Sequence, residues 1–259
     1  MATGQAKTKA EELINRLNAL VNQRHPSEFQ VLQLQHQAES LRQSSFVEAA
    51  IALGAVATIR WDESEMRRQF DHAMQMRKGD HNLHANFARC LVRLNLHSEA
   101  RRQYEQALQI QPSDKGVLAD AIKACTWSGQ FLRAKEYIER FNRLSADNPS
   151  EFGQFVAQAI ELLKGTEVSE QQIDELVEIA MSVLRDAKIS YISVNGRVLN
   201  DEESGFISIE FLLDSTISRV VDFDDTLAEK LAVSSPSGDL TNLISITFGA
   251  ARPDEYYTA

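Results

Sequence analysis

The sequence predicts an α + β protein in two parts: an all-α solenoid of three 34-residue units with flanking helices, then a small α+β domain with about three strands. Three observations carry this. A gapless 34-residue period runs through the middle of the chain. From Ile189 the apolar spacing turns from helical to partly alternating, with β-branched and aromatic residues in "ISYISV" and "FISIEFLL". Charge divides as well: residues 1–148 hold 20 Lys+Arg against 17 Asp+Glu, a balance of +3, and residues 149–259 hold 7 against 20, a balance of −13. The expected segments are 1–46, a helical hairpin that caps the stack; 47–148, three repeats; 149–167, a flanking helix; and 168–259, the acidic α+β domain.

The 259 residues suffice for one large core or two small ones, and their apolar and charged fractions are those of a globular protein. The polar start "MATGQAKTKAEELINR" has no basic-then-apolar order, and the longest apolar run, "AAIALGAVATI", is too short to cross a bilayer, so a cytoplasmic location and no membrane partner are expected. Cys90 and Cys125 each sit in an apolar helical pattern and read as buried, reduced thiols.

Each element follows from its spacing. "AEELINRLNALVNQ" puts Leu13, Leu17 and Leu20 on one helical face, and "EFQVLQLQHQAESLRQ" supplies a second amphipathic segment. The repeats are Val47–Asp80, His81–Asp114 and Lys115–Asn148. Beyond them come "SEFGQFVAQAIELLKG" and "VSEQQIDELVEIAMSVLRDA", the latter opened by Ser169 and Gln172 in capping-box spacing. In the last part, Asn195-Gly196 favours a turn between two strands. "DDTLAEKLAV" is a helix, "SSPSGD" a loop and "LISITFGA" a third strand.

In the second unit Ala100, Tyr104, Ala107 and Pro112 stand at fixed offsets; Met66, Phe70 and Ala73, then Ala134, Ile138 and Phe141, occupy the matching places, and Leu53-Gly54 lies in the first helix of unit one. In these residues 47–148 resembles the tetratricopeptide repeat family. The family's helix-A aromatic is replaced by Ala50, His84 and Leu118, and Ala146 stands where the third proline would fall. The resemblance implies helix pairs in which small residues allow close approach, and a concave face of helix-A positions that holds a partner. Those positions are Glu48, Ile51, Ala55, Thr58 and Ile59; Asn82, Ala85, Arg89, Val92 and Arg93; and Gly116, Ala119, Lys123, Thr126 and Trp127. Asn86 lies one place further along, where carboxylate-clamp members carry a backbone-binding Asn, and Lys123 matches a clamp cation; Ile51, Ala55 and Ala119 do not match the rest of a clamp. The partner-binding set is therefore Asn82, Asn86, Arg89, Arg93, Lys123 and Trp127, facing a segment with acids and apolar anchors. The competing reading is that Trp127 and the Ile pair pack on flanking helices.

"SRVVDFDDTLAEKL" resembles the first motif of haloacid-dehalogenase-type phosphohydrolases, with Asp222 as nucleophile and Asp224 as acid/base, using Mg²⁺. The chain that follows is too short for the rest of such a site, and Asp222, Asp224 and Asp225 suit a helix N-terminus. His25, His36, His72, His81, His84 and His97 lack metal-site spacing and are expected to face solvent, with His84 partly packed. No cofactor, metal or catalysis is expected. Arg67, Arg68, Arg77, Lys78, Arg101 and Arg102 crowd the second helices but alternate with acids, which describes a solvated convex face and argues against nucleic acid. The acidic half can solubilise, bind a basic protein, form a homo-oligomer surface or dock on the groove of its own chain. The expected function is a non-catalytic protein–protein interaction adaptor. The alternatives are a chaperone or immunity-type inhibitor of a partner and, from another class, the Mg²⁺-dependent phosphohydrolase.

Overall fold

Apolar residues at helical spacing, closed by polar caps, build the first half of a chain whose fold is given by a computed structural model describing residues 12, 13, 16, 17, 27–200, 205–234 and 236–252. The chain divides into two units, Met1–Leu94 and Asn95–Ala259. The expected boundaries at 148 and 167 fall inside the second.

The first unit contains α1 (Glu28–Leu41), α2 (Phe46–Ile59), α3 (Glu63–Met76) and α4 (His81–Arg93). Ser27 opens α1 with a capping box: its hydroxyl accepts from the Gln30 N–H at 3.2 Å, and the Gln30 side chain accepts from the Ser27 N–H at 3.0 Å. Asp62 and Asp80 cap α3 and α4 through the N–H groups of Glu65 and Asn82. Helix α2 is apolar all round because it is covered all round, by α1, α3 and α4. Leu13 and Leu17 join this core beside Val31, Leu34, Ala38 and Leu53, while Leu20 lies outside the described residues.

The second unit runs through α5 (His97–Ile110), α6 (Lys115–Trp127), α7 (Phe131–Leu144), α8 (Gly153–Leu163), α9 (Glu170–Asp186), β1 (Tyr191–Asn200), β2 (Gly205–Leu213), α10 (Ile217–Ser234), α11 (Gly238–Leu243) and β3 (Ile244–Ala250). Helices α3, α5 and α7 begin at Glu63, His97 and Phe131, 34 residues apart, as do α4 and α6 at His81 and Lys115. The small residues expected at helix contacts, Ala73, Ala100, Ala107 and Ala134, are buried, as are Phe70, Tyr104 and Ile138. The Ser169 capping box forms as expected and starts α9. At the α6–α7 turn Gly129 has φ +73°, and the Ile173 side chain of α9 fills the space a Cβ would need, so both its backbone and its neighbour demand glycine.

The sheet has the order β1-β2-β3, antiparallel then parallel. Helices α10 and α11 make the crossover that a parallel pair requires. Central β2 buries Ile207, Ile209, Phe211 and Leu213 on one face, whereas edge strand β1 has no buried residue. Three expectations are corrected here. Asn195-Gly196 is not a turn: it lies inside β1, opposite Glu210 and Ile209, and β1 continues to Asn200. Asp222, Asp224 and Asp225 are not at a helix start, because α10 begins at Ile217. Part of the expected loop "SSPSGD" is helical, since the Ser237 hydroxyl accepts the Leu240 N–H and nucleates α11.

Candidate functional site

Leu83, Ala85, Phe87, Ala88, Cys90 and Leu91 are buried, which fixes the rotation of α4. Asn82, Asn86, Arg89 and Arg93, at intervals of four, three and four residues, consequently form one row along its other side. Asn82 and Arg89 are exposed; Asn86 and Arg93 are half-buried. Asn86 donates its amide to the Asn82 carbonyl at 2.8 Å. Cys90, next to Arg89 in sequence, is no nucleophile at neutral pH: burial pushes its thiol up to about 11, against a smaller lowering by a hydrogen bond with Thr58 and the charge of Arg89.

Lys123 and Trp127 belong to α6 in the other unit. Lys123 is exposed. Trp127 is half-buried, packed edge-on to Phe152 with centroids 5.4 Å apart and tilted against Phe155 at 5.6 Å; Phe155 also meets buried Phe131 at 5.9 Å. Gly196 of β1 completes the enclosure. A Cβ there would fall 2.6 Å from Trp127 Cζ3 and 3.0 Å from the Phe155 ring, which is the physical reason for glycine within a strand. Trp127 is therefore covered by the chain's own α8 region and β1. The α4 set forms a row, and the α6 pair forms a cation beside a covered aromatic.

The Asp222 and Asp224 carboxylates leave α10 in different directions, two residues apart on a helix. Asp222 is exposed. Asp224 is half-buried and accepts the Phe248 N–H of β3 at 2.9 Å; burial raises its pKa, opposed by that hydrogen bond, and Asp225 and Glu210 raise it further. Nothing here reproduces a nucleophile at a strand end.

Two features escaped the sequence reading. Arg101, expected on a solvated face, is largely buried and forms a bidentate pair with Asp174 of α9 at 2.6 and 2.7 Å, also donating to the Ser128 hydroxyl. His97, expected to face solvent, is 1 % exposed, lies against Tyr191 and Phe211, and has no hydrogen-bond partner on either ring nitrogen. Burial, with the charges of Arg101 and Arg185, lowers its pKa to about 3. Neither was flagged by local spacing, because Asp174, Tyr191 and Phe211 are 73 to 114 residues away in sequence and even Ser128 is 27.

Among the described residues no group of three or more His, Cys, Asp or Glu is arranged to hold a metal ion, and no helix is long and apolar enough to cross a membrane. No family model matches the chain, and no curated protein matches it.

Proposed function

We propose that this chain is a non-catalytic interaction adaptor built on tetratricopeptide-like helix pairs, and that it holds a partner segment along α4. The carrying observation is the row Asn82, Asn86, Arg89 and Arg93, which runs along α4 opposite its buried side as one surface. Side-chain amides can pair with the backbone of an extended peptide, and guanidinium groups can take its carboxylates in bidentate fashion. The partner is thus a peptide segment with acids, and its apolar residues supply the buried contact that limits dissociation. The acidic second unit offers a further contact for a basic protein or a second copy.

The test is a fluorescence-polarisation titration of labelled peptides that alternate Asp or Glu with Leu or Phe, against the same peptides with Lys in place of the acids. Acidic peptides should bind. Arg89→Ala with Arg93→Ala should weaken them roughly tenfold and flatten their salt dependence. Arg67→Ala with Arg68→Ala, on α3 where each arginine pairs with a glutamate of its own helix, should change little. Equal losses from the two double variants would refute the assignment to α4.

A further inference from the structure

The two outer edges of the sheet are treated differently. On β3 the Phe248 N–H faces away from β2 and is taken by the Asp224 carboxylate of α10 at 2.9 Å, so a second strand is refused there. The other edge is β1, ten residues long against seven for β3. Among the described residues β2 is the one strand that pairs with it. From Ser193 to Asn200 it has no proline and no bulge, and it carries a single charge, Arg197, where natural edges combine several devices against pairing. Its apolar residues also lack a neighbour on the outer side. Val194 and Val198 stand opposite Phe211 and Ile207, both fully buried, yet are only half-buried themselves.

We propose that this edge pairs with a second copy of the chain, β1 antiparallel to β1, so that one sheet runs through both copies. A two-fold interface must be complementary to itself, and two antiparallel copies of one strand meet with a single residue at the axis. With Gly196 at the axis the overlap runs from Ile192 to Asn200 on each copy, and Val198 meets Val194 of the second copy on the inner face. Arg197 then stands opposite Asn195 of the second copy. Within one copy Asn195 lies opposite Glu210 and donates its amide to the Glu210 carboxylate at 3.2 Å, so that acid is turned towards the β1 edge. Glu210, Asn195 and the second copy's Arg197 thus form a row across three strands on one face. At about 4.8 Å between neighbouring strands the outer two Cα atoms lie about 10 Å apart, within the joint reach of a carboxylate and a guanidinium. The axis repeats the row with the copies exchanged. Shifting it to Asn195 gives an equally long overlap but sets Arg197 opposite Ser193, with Leu212 behind it and no acid in the row. The matched cation and acid of one strand pair are what select a second copy as the occupant. This gives the second contact of the adaptor reading its partner and its surface, and it uses no residue of α4, so the two readings fail separately.

The test is sedimentation equilibrium of the full chain from about 1 to about 100 μM, which should show monomer and dimer. Arg197→Glu, at an exposed position, should weaken the dimer at least about tenfold with helical circular dichroism unchanged. Arg102→Glu, the same change of charge at an exposed position on α5, should leave the constant within about twofold. A second measurement keeps Arg197 in place. Leu199 is 47 % exposed, and the native Cys90 and Cys125 are buried, so Leu199→Cys takes a nitroxide label selectively. Leu199 lies opposite Ser193 of the second copy, and the two labelled sites are separated by the strand from Ser193 to Leu199, about 20 Å, in double electron–electron resonance. A chain monomeric up to about 100 μM would overturn the proposal. So would a dimer indifferent to Arg197→Glu, or one weakened equally by both arginine substitutions. A main label distance of about 27 Å, the value for an axis at Asn195, or longer, would overturn it as well.

Discussion

Lowering the pH from 7 to 5 charges the histidines of the unfolded chain but leaves folded His97 neutral. Its ring is 1 % exposed, lies against Tyr191 and Phe211, and is faced by the cations Arg101 and Arg185, which themselves pair with Asp174 and Glu178. A folded pKa of about 3 against an ordinary 6.5 means that the unfolded state binds more protons between those values. Stability from this group is therefore fully present above about pH 6.5 and is lost as the pH falls towards 3. At about 1.4 kcal/mol per pH unit the loss is about 2 kcal/mol by pH 5. Glu170 and Asp224 act in the opposite sense: burial raises both, so their protonation favours the fold. Comparing urea unfolding of the wild type with His97→Phe at pH 7, 6 and 5 cancels those carboxylates. The wild type should lose about 2 kcal/mol more than the variant over that range. Superimposable pH profiles, or a His97 proton resonance titrating near 6.5, would refute the buried neutral imidazole.

Three further outcomes follow from the packing. Arg101→Ala should cost about 3 kcal/mol, because it strands Asp174 in a largely buried place, whereas exposed Arg102→Ala should stay within about 0.5 kcal/mol; denaturant midpoints compare them. Ala107→Leu, at a position 1 % exposed, should overpack the helix contact and cost about 1–3 kcal/mol in the same assay. Asp224→Ala should release the Phe248 N–H on edge strand β3, costing about 1 kcal/mol and promoting concentration-dependent association in sedimentation velocity, while Asp222→Asn should do neither.

What could be read in the sequence was periodic, and what could not was relational. The helix starts at Glu63, His97 and Phe131 follow from residue spacing, since each turn must bury its own apolar side, and Ser169 with Gln172 caps α9 through contacts three residues long. Gly196 was misread because Asn-Gly has a strong local meaning as a turn. Its actual cause is the Trp127 ring, 69 positions away, which leaves no room for a Cβ. The aspartates of α10 were misplaced by a few residues for a similar reason: the helix begins as early as Ile217, which is 75 % exposed and gives no amphipathic signal. Of the candidate site, the α4 row could be read because all four residues share one helix, and the cover on Trp127 was open as one of two readings.

The charge division has a structural counterpart that the totals hide. The positive balance of the first 148 residues and the negative balance of the rest were expected to mark two modules, yet within the second unit the signs are joined across that division. Arg101 of α5 takes both carboxylate oxygens of Asp174 in α9. Glu170, at the start of α9, accepts the Leu132 N–H with its carboxylate and the Gln130 amide with its carbonyl, closing the start of α7. Such contacts lose most of their worth if separated into water-exposed halves, because a bidentate pair in a dry interface outweighs the same pair at the surface. Part of the acidic excess is thus internal: it neutralises the basic helices that precede it and holds α9 against α5 and α7. Asp222, Asp225 and Glu229, spaced three and four residues apart on α10, are exposed acids that take no such internal part among the described residues. A binding assay directed at the acidic half should therefore substitute those three and spare Asp174 and Glu170, whose loss would be felt first as unfolding.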